Sequence, residues 1–305
     1  MKRRTYSRLL SVRFASLLLA AVVFTLLAAG ALAAAEEKKI SIGAKAFAEN
    51  QIVAKLIQFA LEDNGFTVTF TPDLENAVLQ SAIETGQIDL CPEYTNTGIV
   101  GILKLKPIFD PDEAYRTVKD EYEKRFKITW LKPSSINNSY CFVLSAKAAE
   151  AYGIKTISDL QANAGNIRAA KHNTWRDRPD QLPALEAAYG PFKFKDEKIY
   201  DGGLKYQVLL NDQGDLALGY TTDAQLEDKR LVAIEDDKHV WPPYFLVPIV
   251  RQDTLAKYPE IEKIINDVIA KLDRDSIIKL NADVVIRHEE YPDVAAKYYK
   301  EVASK

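Results

Sequence analysis

The stretch Gln87-Ile-Asp-Leu-Cys-Pro-Glu-Tyr-Thr-Asn-Thr-Gly98 decides the fold class. Its apolar beginning, which ends at Leu90, predicts a short buried strand. The polar residues 95–97 are of the types that begin helices, and an apolar run follows them. Tyr94 therefore lies at the carboxyl end of a predicted strand, where ligands bind in α/β sheets.

The same arrangement occurs again further along the chain. Leu216-Ala-Leu-Gly-Tyr220 reads as an apolar strand that ends in tyrosine, and Asp223 is expected to begin a polar helix soon after it. Tyr140 ends the polar string 134–139, and Tyr244 follows a rigid pair of prolines. Four tyrosines thus lie at predicted strand–loop junctions in separate parts of the chain.

The first 35 residues are predicted to be a secretory signal peptide. Five basic residues precede the apolar run Phe14–Ala29, which is shorter than a membrane-spanning helix usually is. Small residues suited to cleavage follow at 31–35, and no cysteine lies near them, so a lipid anchor is not expected. The mature chain is expected to be exported to a periplasm. The pair Arg3-Arg4 leaves a twin-arginine route open, although the apolar run favours the general secretory route.

Composition argues against several kinds of partner. Removal of the signal peptide takes away five basic and no acidic residues, so the formal net charge changes from -3 to about -8. An acidic surface of this kind argues against nucleic acid and anionic membranes as partners. His172, His239 and His288 are isolated and lack metal-ligand spacing, so neither a metal nor another cofactor is expected.

The order of predicted elements indicates an α/β fold of two lobes with two parallel-rich sheets. Residues 39–94 alternate between strand and helix, with Asp73 as the expected cap of the second helix. Lobe I is predicted to comprise residues 36–137 plus 246–305, and lobe II residues 138–245. Tyr140–Ser145 and Phe245–Val250 are interpreted as the two strands of a hinge, with a ligand cleft between the lobes.

Two cysteines, Cys91 and Cys141, each lie next to one of the tyrosine junctions. In an oxidising compartment such a pair can form a disulfide. The alternative is that both are small buried hydrophobic side chains. The sequence leaves both interpretations open.

A cage of tyrosine rings suits a cation that cannot donate hydrogen bonds, such as a quaternary ammonium group. Each ring contributes about 0.5–2 kcal/mol, so three or four rings give roughly 2–8 kcal/mol. Micromolar affinity requires about -8.2 kcal/mol after the costs of association, so a second contact is expected at the other end of the ligand. Arg178 offers a planar fork for a carboxylate, and Lys45 lies in a strand-to-helix turn that favours an anion.

Seven motifs carry a family resemblance that covers nearly the whole mature chain. They are Ile40-Ser-Ile-Gly-Ala-Lys-Ala-Phe-Ala-Glu49, Ile88-Asp-Leu-Cys-Pro-Glu-Tyr-Thr-Asn-Thr97, Asn137-Asn-Ser-Tyr140, Arg178-Pro-Asp-Gln-Leu-Pro183, Leu204-Lys-Tyr-Gln-Val-Leu-Leu210, Ala217-Leu-Gly-Tyr-Thr-Thr-Asp223 and Pro242-Pro-Tyr244. In this order they resemble the glycine betaine/choline/carnitine substrate-binding proteins of osmoprotectant ABC importers.

The resemblance implies a two-lobe periplasmic-binding-protein fold and a specific set of ligand contacts. By resemblance, the cage around a trimethylammonium group consists of Tyr94, Tyr140, Tyr220 and Tyr244. Lys45, Thr97 and Arg178 are similar to the residues that hold the ligand carboxylate, and Asn138 matches a position whose main-chain carbonyl faces the cation. The implied partners are the transmembrane subunits of an ABC permease, and a monomer is expected.

Some positions depart from the family pattern. Ala46 and Ala48 stand where Asn and Thr are usual, Leu74–Ala77 lacks the usual Gly and Thr or Ser, and Gln181 replaces a Gly. Cys91 and Cys141 stand where Tyr and Ala are more typical. The four cage tyrosines are all present, so these changes concern chiefly the non-cationic end of the ligand.

Alternative functions stay open at this stage. Glycine betaine is the first choice of ligand, with choline, carnitine or ergothioneine as alternatives. A binding protein for polar amino acids would use a carboxylate such as Glu93 or Asp223 for the ligand ammonium. An enzyme of lyase type is a further alternative, although no metal-ligand spacing or nucleophile-elbow pattern supports it, and no catalytic residue is assigned.

Overall fold

The computed structural model describes residues 37–172, 175–178, 181–200 and 202–303. The predicted signal peptide therefore lies outside the described residues. Within them the structure has ten strands: β1 (Lys38–Gly43), β2 (Phe66–Thr71), β3 (Leu90–Tyr94), β4 (Ile128–Trp130), β5 (Tyr140–Ser145), β6 (Arg168–Lys171), β7 (Asp196–Ile199), β8 (Leu216–Tyr220), β9 (Leu231–Ala233) and β10 (Leu246–Arg251).

The strands form two five-stranded sheets, which we call sheet I and sheet II. Sheet I has the order β2-β1-β3-β10-β4, and sheet II has the order β7-β6-β8-β5-β9. In sheet I, β1 and β3 are parallel, whereas β10 runs antiparallel to β3 and β4. In sheet II, β6 runs parallel to β7 and β8, whereas β5 runs antiparallel to β8 and β9. The predicted two-sheet α/β class is confirmed, with mixed sheets.

Helices lie between the strands and complete both layers. The described residues contain eleven α-helices: α1 (Ala48–Asp63), α2 (Asn76–Thr85), α3 (Pro111–Phe126), α4 (Ala146–Tyr152), α5 (Ile157–Asn163), α6 (Leu182–Tyr189), α7 (Lys205–Leu210), α8 (Gln252–Lys257), α9 (Glu260–Ile269), α10 (Arg274–Val285) and α11 (Tyr291–Ala303). A π-helical segment, Thr97–Ile102, and a short 3-10 turn, Ala224–Glu227, follow two of the tyrosine junctions.

The ends of the helices follow largely from local side-chain chemistry. Asp110 caps α3 by accepting a hydrogen bond of 2.7 Å from the Glu113 amide, and Pro111 occupies the first turn. The prediction that Asp73 caps α2 is wrong, because α2 begins at Asn76. Asp73 instead accepts a 2.7 Å hydrogen bond from the Gln51 amide group of α1.

The central strands of both sheets are buried on both faces. In β3, Leu90 and Tyr94 face one hydrophobic cluster of sheet I and Cys91 faces the other, as the alternation of a strand requires. In β5, Phe142 and Cys141 divide in the same way between two clusters of sheet II. Helices cover each face, which explains why these strands read as continuous apolar runs in the sequence.

The chain passes between the sheets in two segments, Leu131–Ser139 and Ile234–Phe245. They meet at an antiparallel bridge between Asn137 and Phe245, and the Asn138 amide donates to the Tyr244 carbonyl at 3.0 Å. The prediction that the stretches beginning at Tyr140 and Phe245 are themselves the crossings is wrong. β5 pairs within sheet II and β10 within sheet I.

Helix α10 contacts both halves of the fold. Its Ile277 and Leu280 pack in a core cluster of sheet I, whereas Ile278 packs in a cluster of sheet II. Its first residue, Arg274, donates from Nε to the Thr221 carbonyl at 2.9 Å. Apart from the first two residues of β1, both sheets lie within the compact unit that begins at Ile40, and α10 helps to join them.

The structure contradicts the disulfide interpretation. Cys91 and Cys141 are both free and buried, the first in β3 of sheet I and the second in β5 of sheet II. They pack in different hydrophobic clusters, so no bridge joins them. Burial raises the pKa of the Cys91 thiol, which keeps it neutral. Each cysteine acts here as a small apolar side chain.

None of the described helices combines the length and the hydrophobicity that crossing a lipid bilayer requires.

Candidate ligand-binding site

A cavity of about 440 Å³ gathers most of the predicted site residues. It is lined by Lys45, Phe47, Asn76, Tyr94, Thr97, Asn138, Tyr140, Tyr220 and Tyr244. All four predicted tyrosines are in this set, and Arg178 is the one predicted residue outside it. Phe47 and Asn76 were not predicted.

Tyr140 and Tyr220 form a stacked pair on the sheet II side of the cavity. The antiparallel register of β5 and β8 places the two residues opposite each other. Their ring centroids lie 5.1 Å apart with 26° between the ring planes, and Trp241 packs 5.9 Å from the Tyr140 ring. Burial and the adjacent Tyr140 raise the pKa of Tyr220, so its phenol is neutral at physiological pH.

Asp223 fixes the backbone that carries Tyr220. Its Oδ2 accepts hydrogen bonds from the Tyr220 amide at 3.0 Å and from the Tyr206 hydroxyl, with Lys205 Nζ at 3.3 Å. Gly219 leaves the room for this cluster, because a Cβ at that position would lie 2.1 Å from the Tyr206 hydroxyl oxygen. Asp223 thus serves the loop after β8 rather than the start of a long helix.

Tyr94 and Tyr244 are brought together on the sheet I side. The register between β3 and β10 pairs Tyr94 with Leu246, two residues after Tyr244. Asn96 Nδ2 and Thr95 Oγ1 donate to the Pro243 carbonyl at 2.7 and 3.2 Å. The polar residues after Tyr94 therefore hold the segment that carries Tyr244.

Lys45 lies two residues after the end of β1, and its ammonium group is neutralised within the protein. It forms a buried ion pair with Glu93, and both side chains are almost fully shielded from solvent. The Lys45 amide donates to Asn50 Oδ1 at 2.8 Å, and Asn50 Nδ2 donates to the Pro92 carbonyl at 3.0 Å. This chain of contacts joins the ends of β1 and β3 and holds Lys45 Nζ 5.2 Å from the Tyr94 ring centroid.

Glu49 is a buried carboxylate directly behind the cavity. Its Oε1 accepts hydrogen bonds from the Tyr94 hydroxyl at 2.7 Å and from Asn138 Nδ2 at 3.1 Å. Asn281 of α10 lies 3.4 Å from Oε2, and the Thr222 side chain also bonds the carboxylate. Burial raises the pKa of Glu49. The four hydrogen bonds favour the ionised form and oppose this rise, but burial is the larger effect.

The remaining predicted residues lie at the edge of the cavity. Thr97 begins the π-helical segment that follows Tyr94 and is partly exposed. Arg178 is exposed and donates from Nη2 to the Tyr140 hydroxyl at 3.3 Å. Burial and the charge of Arg178 lower the pKa of nearby His172, which leaves the imidazole neutral at pH 7.

The carboxylates suggested for an amino-acid ligand have partners inside the protein. Glu93 is paired with Lys45, and Asp223 is bonded by Tyr206, Lys205 and the Tyr220 amide. No group of three or more His, Cys, Asp or Glu residues able to hold a metal ion occurs among the described residues. The prominent chemistry of the cavity is therefore that of aromatic rings above a buried carboxylate.

A family model for the substrate-binding domain of ABC-type glycine betaine transport systems matches residues 38–301. The chain belongs to this family. It is thus a substrate-binding protein of an ABC transport system, and the resemblance stated from the sequence is confirmed.

Relatives and solved structures agree with this assignment. The chain is 34% identical over 237 residues to the carnitine transport binding protein OpuCC of Listeria monocytogenes, covering 76% of this chain and 77% of that protein. It is 33% identical over 249 residues to a glycine-betaine-binding protein of Pseudomonas aeruginosa, covering 78% and 80%. A crystal structure described as a glycine betaine/carnitine/choline ABC transporter matches with a TM-score of 0.81 and 26% identity, covering 86% of this chain and 98% of the other.

Sequence reasoning missed several residues of the site for identifiable reasons. Glu49 ends the first of the seven family motifs, Ile40–Glu49. An acidic residue in the first turn of a helix is usually interpreted as a favourable partner of the helix dipole, so nothing in the sequence indicated a role in the site. Phe47 immediately precedes α1 and lies 6.1 Å from the Tyr94 ring, a contact that spacing alone does not reveal. The pairing of Lys45 with Glu93 joins positions 48 residues apart, which only the sheet brings together.

Proposed function

We propose that this family member captures a quaternary-ammonium solute, with glycine betaine as the first choice, in the 440 Å³ cavity. The observation that carries the proposal is that four tyrosines from distant parts of the chain line this one cavity. Tyrosine rings attract a permanently charged methylated nitrogen through their quadrupoles, without the hydrogen bonds that such a group cannot make.

Tyr94, Tyr140, Tyr220 and Tyr244 are proposed to surround the trimethylammonium group. In the structure, the Tyr140 and Tyr220 rings stack on each other on one side of the cavity. Tyr94 and Tyr244 belong to the opposite side, which sheet I supports. A cation between these two sides would contact rings from both sheets, with the main-chain carbonyl of Asn138 as an additional polar contact.

The carboxylate of a betaine is proposed to be held by Arg178, Lys45 and Thr97. Because Glu93 already neutralises Lys45, Arg178 is expected to supply most of the attraction for an anionic group. Arg178 lies beside Tyr140, one of the rings that line the cavity. A movement of the sheet II half toward sheet I would bring this guanidinium over the cavity.

We also propose that the two halves act as lobes that close around the ligand. Lobe I would comprise residues 36–137 plus 246–305 and lobe II residues 138–245, with the two crossing segments as the hinge. The bridge at Asn137 and Phe245 lies beside the cavity residues Asn138 and Tyr244, which couples hinge and site.

The proposed setting is a periplasm, reached by a cleaved signal peptide at residues 1–35 and without a lipid anchor. The ligand-loaded protein is expected to be a monomer that docks on the transmembrane subunits of an ABC importer. It is expected to be a carrier rather than an enzyme, to need no cofactor and to have no nucleic-acid partner.

Isothermal titration calorimetry of the purified mature protein tests the proposal. Glycine betaine, choline, carnitine and ergothioneine would be titrated separately, with lysine and glutamine as comparison ligands. Micromolar or tighter binding of at least one methylated ammonium compound is expected. Binding of lysine or glutamine alone would favour the amino-acid alternative, and NMR detection of a chemically altered ligand after incubation would favour a lyase.

A further inference from the structure

Glu49 lies close behind the cavity without lining it. It is only 3% exposed, at the start of α1, and lines a neighbouring cavity of about 320 Å³. Phe47 and Asn138 line both cavities, and the Glu49 carboxylate directly contacts the hydroxyl of one of the cavity tyrosines, Tyr94.

Two of the groups that bond Glu49 are themselves cavity residues. The Tyr94 hydroxyl and the Asn138 amide group donate to the same carboxylate oxygen, at 2.7 and 3.1 Å. Asn281 places its amide nitrogen 3.4 Å from the other oxygen, and its Oδ1 has no hydrogen-bond partner in the described part of the chain. The surroundings of Glu49 therefore offer hydrogen-bond donors, which an ionised carboxylate requires.

An ionised Glu49 has no opposite charge paired with it within the described structure. Lys45, the one buried cation among the described residues, is paired with Glu93. No ion pair of Glu49 occurs among the described residues, although burial of an unpaired carboxylate is costly. A permanent cation placed in the cavity would supply the missing opposite charge.

We propose that Glu49 is the positioning residue that gives the cavity its preference for a permanently charged ligand. It acts through the Tyr94 phenol and the side-chain amide of Asn138. This inference rests on the proposed function, and it identifies the group that makes the cavity select a cationic ligand over a neutral one. A carboxylate at this depth attracts the cation through a medium of low dielectric constant. A phenol that donates to an anion also has a more electron-rich ring, which strengthens its attraction for a cation.

The test compares two ligands that differ in one atom. Glycine betaine carries a trimethylammonium group, and 3,3-dimethylbutanoate has the same shape and the same carboxylate with a neutral carbon in place of the nitrogen. We expect wild-type protein at pH 8 to bind glycine betaine about tenfold or more tightly than this isostere. Glu49→Gln should lower that ratio by about tenfold, through weaker binding of betaine and nearly unchanged binding of the isostere.

Two further variants make the result decisive. Glu62→Gln removes an exposed carboxylate near the other end of the same helix, so it should leave the ratio unchanged. Tyr94→Phe keeps the ring but removes its hydrogen bond to Glu49, so it should lower the ratio even if Glu49→Gln fails to fold.

Each outcome has a defined meaning. An equal loss of affinity for both ligands in Glu49→Gln would overturn the role of Glu49 and leave the proposed function standing. An unchanged affinity ratio in Tyr94→Phe would have the same meaning. Failure of wild-type protein to bind any methylated ammonium compound would overturn both. A lowered ratio in Glu49→Gln, with Glu62→Gln unchanged, is the result that supports the inference.

Discussion

At the scale of single residues, the cavity tyrosines differ in how deeply they belong to the core. Tyr94 is 4% exposed and packs in a hydrophobic cluster of sheet I, whereas Tyr220 is 42% exposed. Removal of the Tyr94 ring would therefore affect folding as well as binding, with a cost of about 3–5 kcal/mol for loss of a large buried side chain. Tyr220 is the better probe of ligand contacts alone.

Tyr220→Ala is expected to weaken binding of glycine betaine by more than about tenfold, because it removes one ring face and the stacking partner of Tyr140. The melting temperature should change little. Calorimetry measures the affinity, and Tyr220→Phe is the matched control that keeps the ring. Unchanged affinity in Tyr220→Ala would argue strongly against the cage.

Arg178→Ala is expected to weaken the binding of glycine betaine more than the binding of choline, since choline has no carboxylate for the guanidinium to bind. The affinity ratio of the two ligands in wild-type and variant protein is the measurement. Equal losses for both ligands would mean that Arg178 acts by holding Tyr140, to whose hydroxyl it donates.

The stability of the ligand-free protein should carry a signature of Glu49. Burial raises the pKa of this carboxyl in the folded state, so the folded protein favours the protonated form. The stability that the protonated carboxyl contributes is fully present below the unfolded pKa of about 4.3. It is lost as the pH rises through the folded pKa. The nearby charged groups are the Lys45–Glu93 pair, and the Tyr94 phenol faces Glu49 directly.

Glu49→Gln, which cannot ionise, should therefore gain stability relative to wild type as pH rises from 4 to 8. Urea unfolding at a series of pH values measures this difference. A difference that is constant across the series would show that the Glu49 carboxyl titrates alike in the folded and unfolded states.

At the scale of elements, the close packing at the end of β8 leaves no room for a side chain at Gly219. Gly219→Ala would place a Cβ 2.1 Å from the Tyr206 hydroxyl, so the Tyr206 side chain must move, and 3.1 Å from Asp223 Oδ2, which is also a tight contact. We expect a loss of roughly 1–3 kcal/mol in the free energy of unfolding, measured by urea denaturation. Gly165→Ala is the control, since its added Cβ would have nothing closer than 4.0 Å. Equal stability of the two variants would contradict the tight packing.

Elements with a clear apolar pattern were predictable from the sequence, and those without one were not. Helix α1 has apolar residues at helical spacing, and β8 ends at Tyr220 as predicted. The strand predicted to end at Leu90 instead begins there, because β3 spans Leu90–Tyr94. Strand β9 has three residues, too few to show alternation, and β7 consists of Asp196-Glu-Lys-Ile199 at the edge of sheet II. Charged residues suit an edge strand but give no apolar signal.

The candidate site was predictable in its aromatic part and much less so in its charges. Tyrosines at strand ends are visible in the sequence because the strands themselves are visible. The partners of Lys45 and Tyr94 were not, because Glu93 and Glu49 reach them only after β1, α1 and β3 have packed together. The positions of the crossings were also missed, since apolar strands beside a hinge resemble the hinge itself in sequence.

At the scale of the whole molecule, several connections among the described residues join the halves that carry the cavity. They include the two crossing segments, the hydrogen bonds of Glu49, and α10, whose Arg274 bonds the Thr221 carbonyl. Another contact, between Arg287 and Glu227, extends this junction beyond the helix end. Closure of the lobes would have to bend the crossings while α10 keeps or exchanges these contacts.

Ligand binding is expected to compact the protein. Small-angle X-ray scattering should give a smaller radius of gyration with saturating glycine betaine than without it, because hinge closure brings the lobes together. An unchanged scattering curve at saturation would indicate that the ligand enters an already closed cleft.

The most direct measurement of the central claim is a calorimetric titration of the mature protein with glycine betaine, choline, carnitine and ergothioneine beside lysine and glutamine. We expect micromolar or tighter affinity for at least one of the four methylated compounds and no measurable heat of binding for the two amino acids. Binding of lysine or glutamine, with none of the four methylated compounds bound, would contradict it.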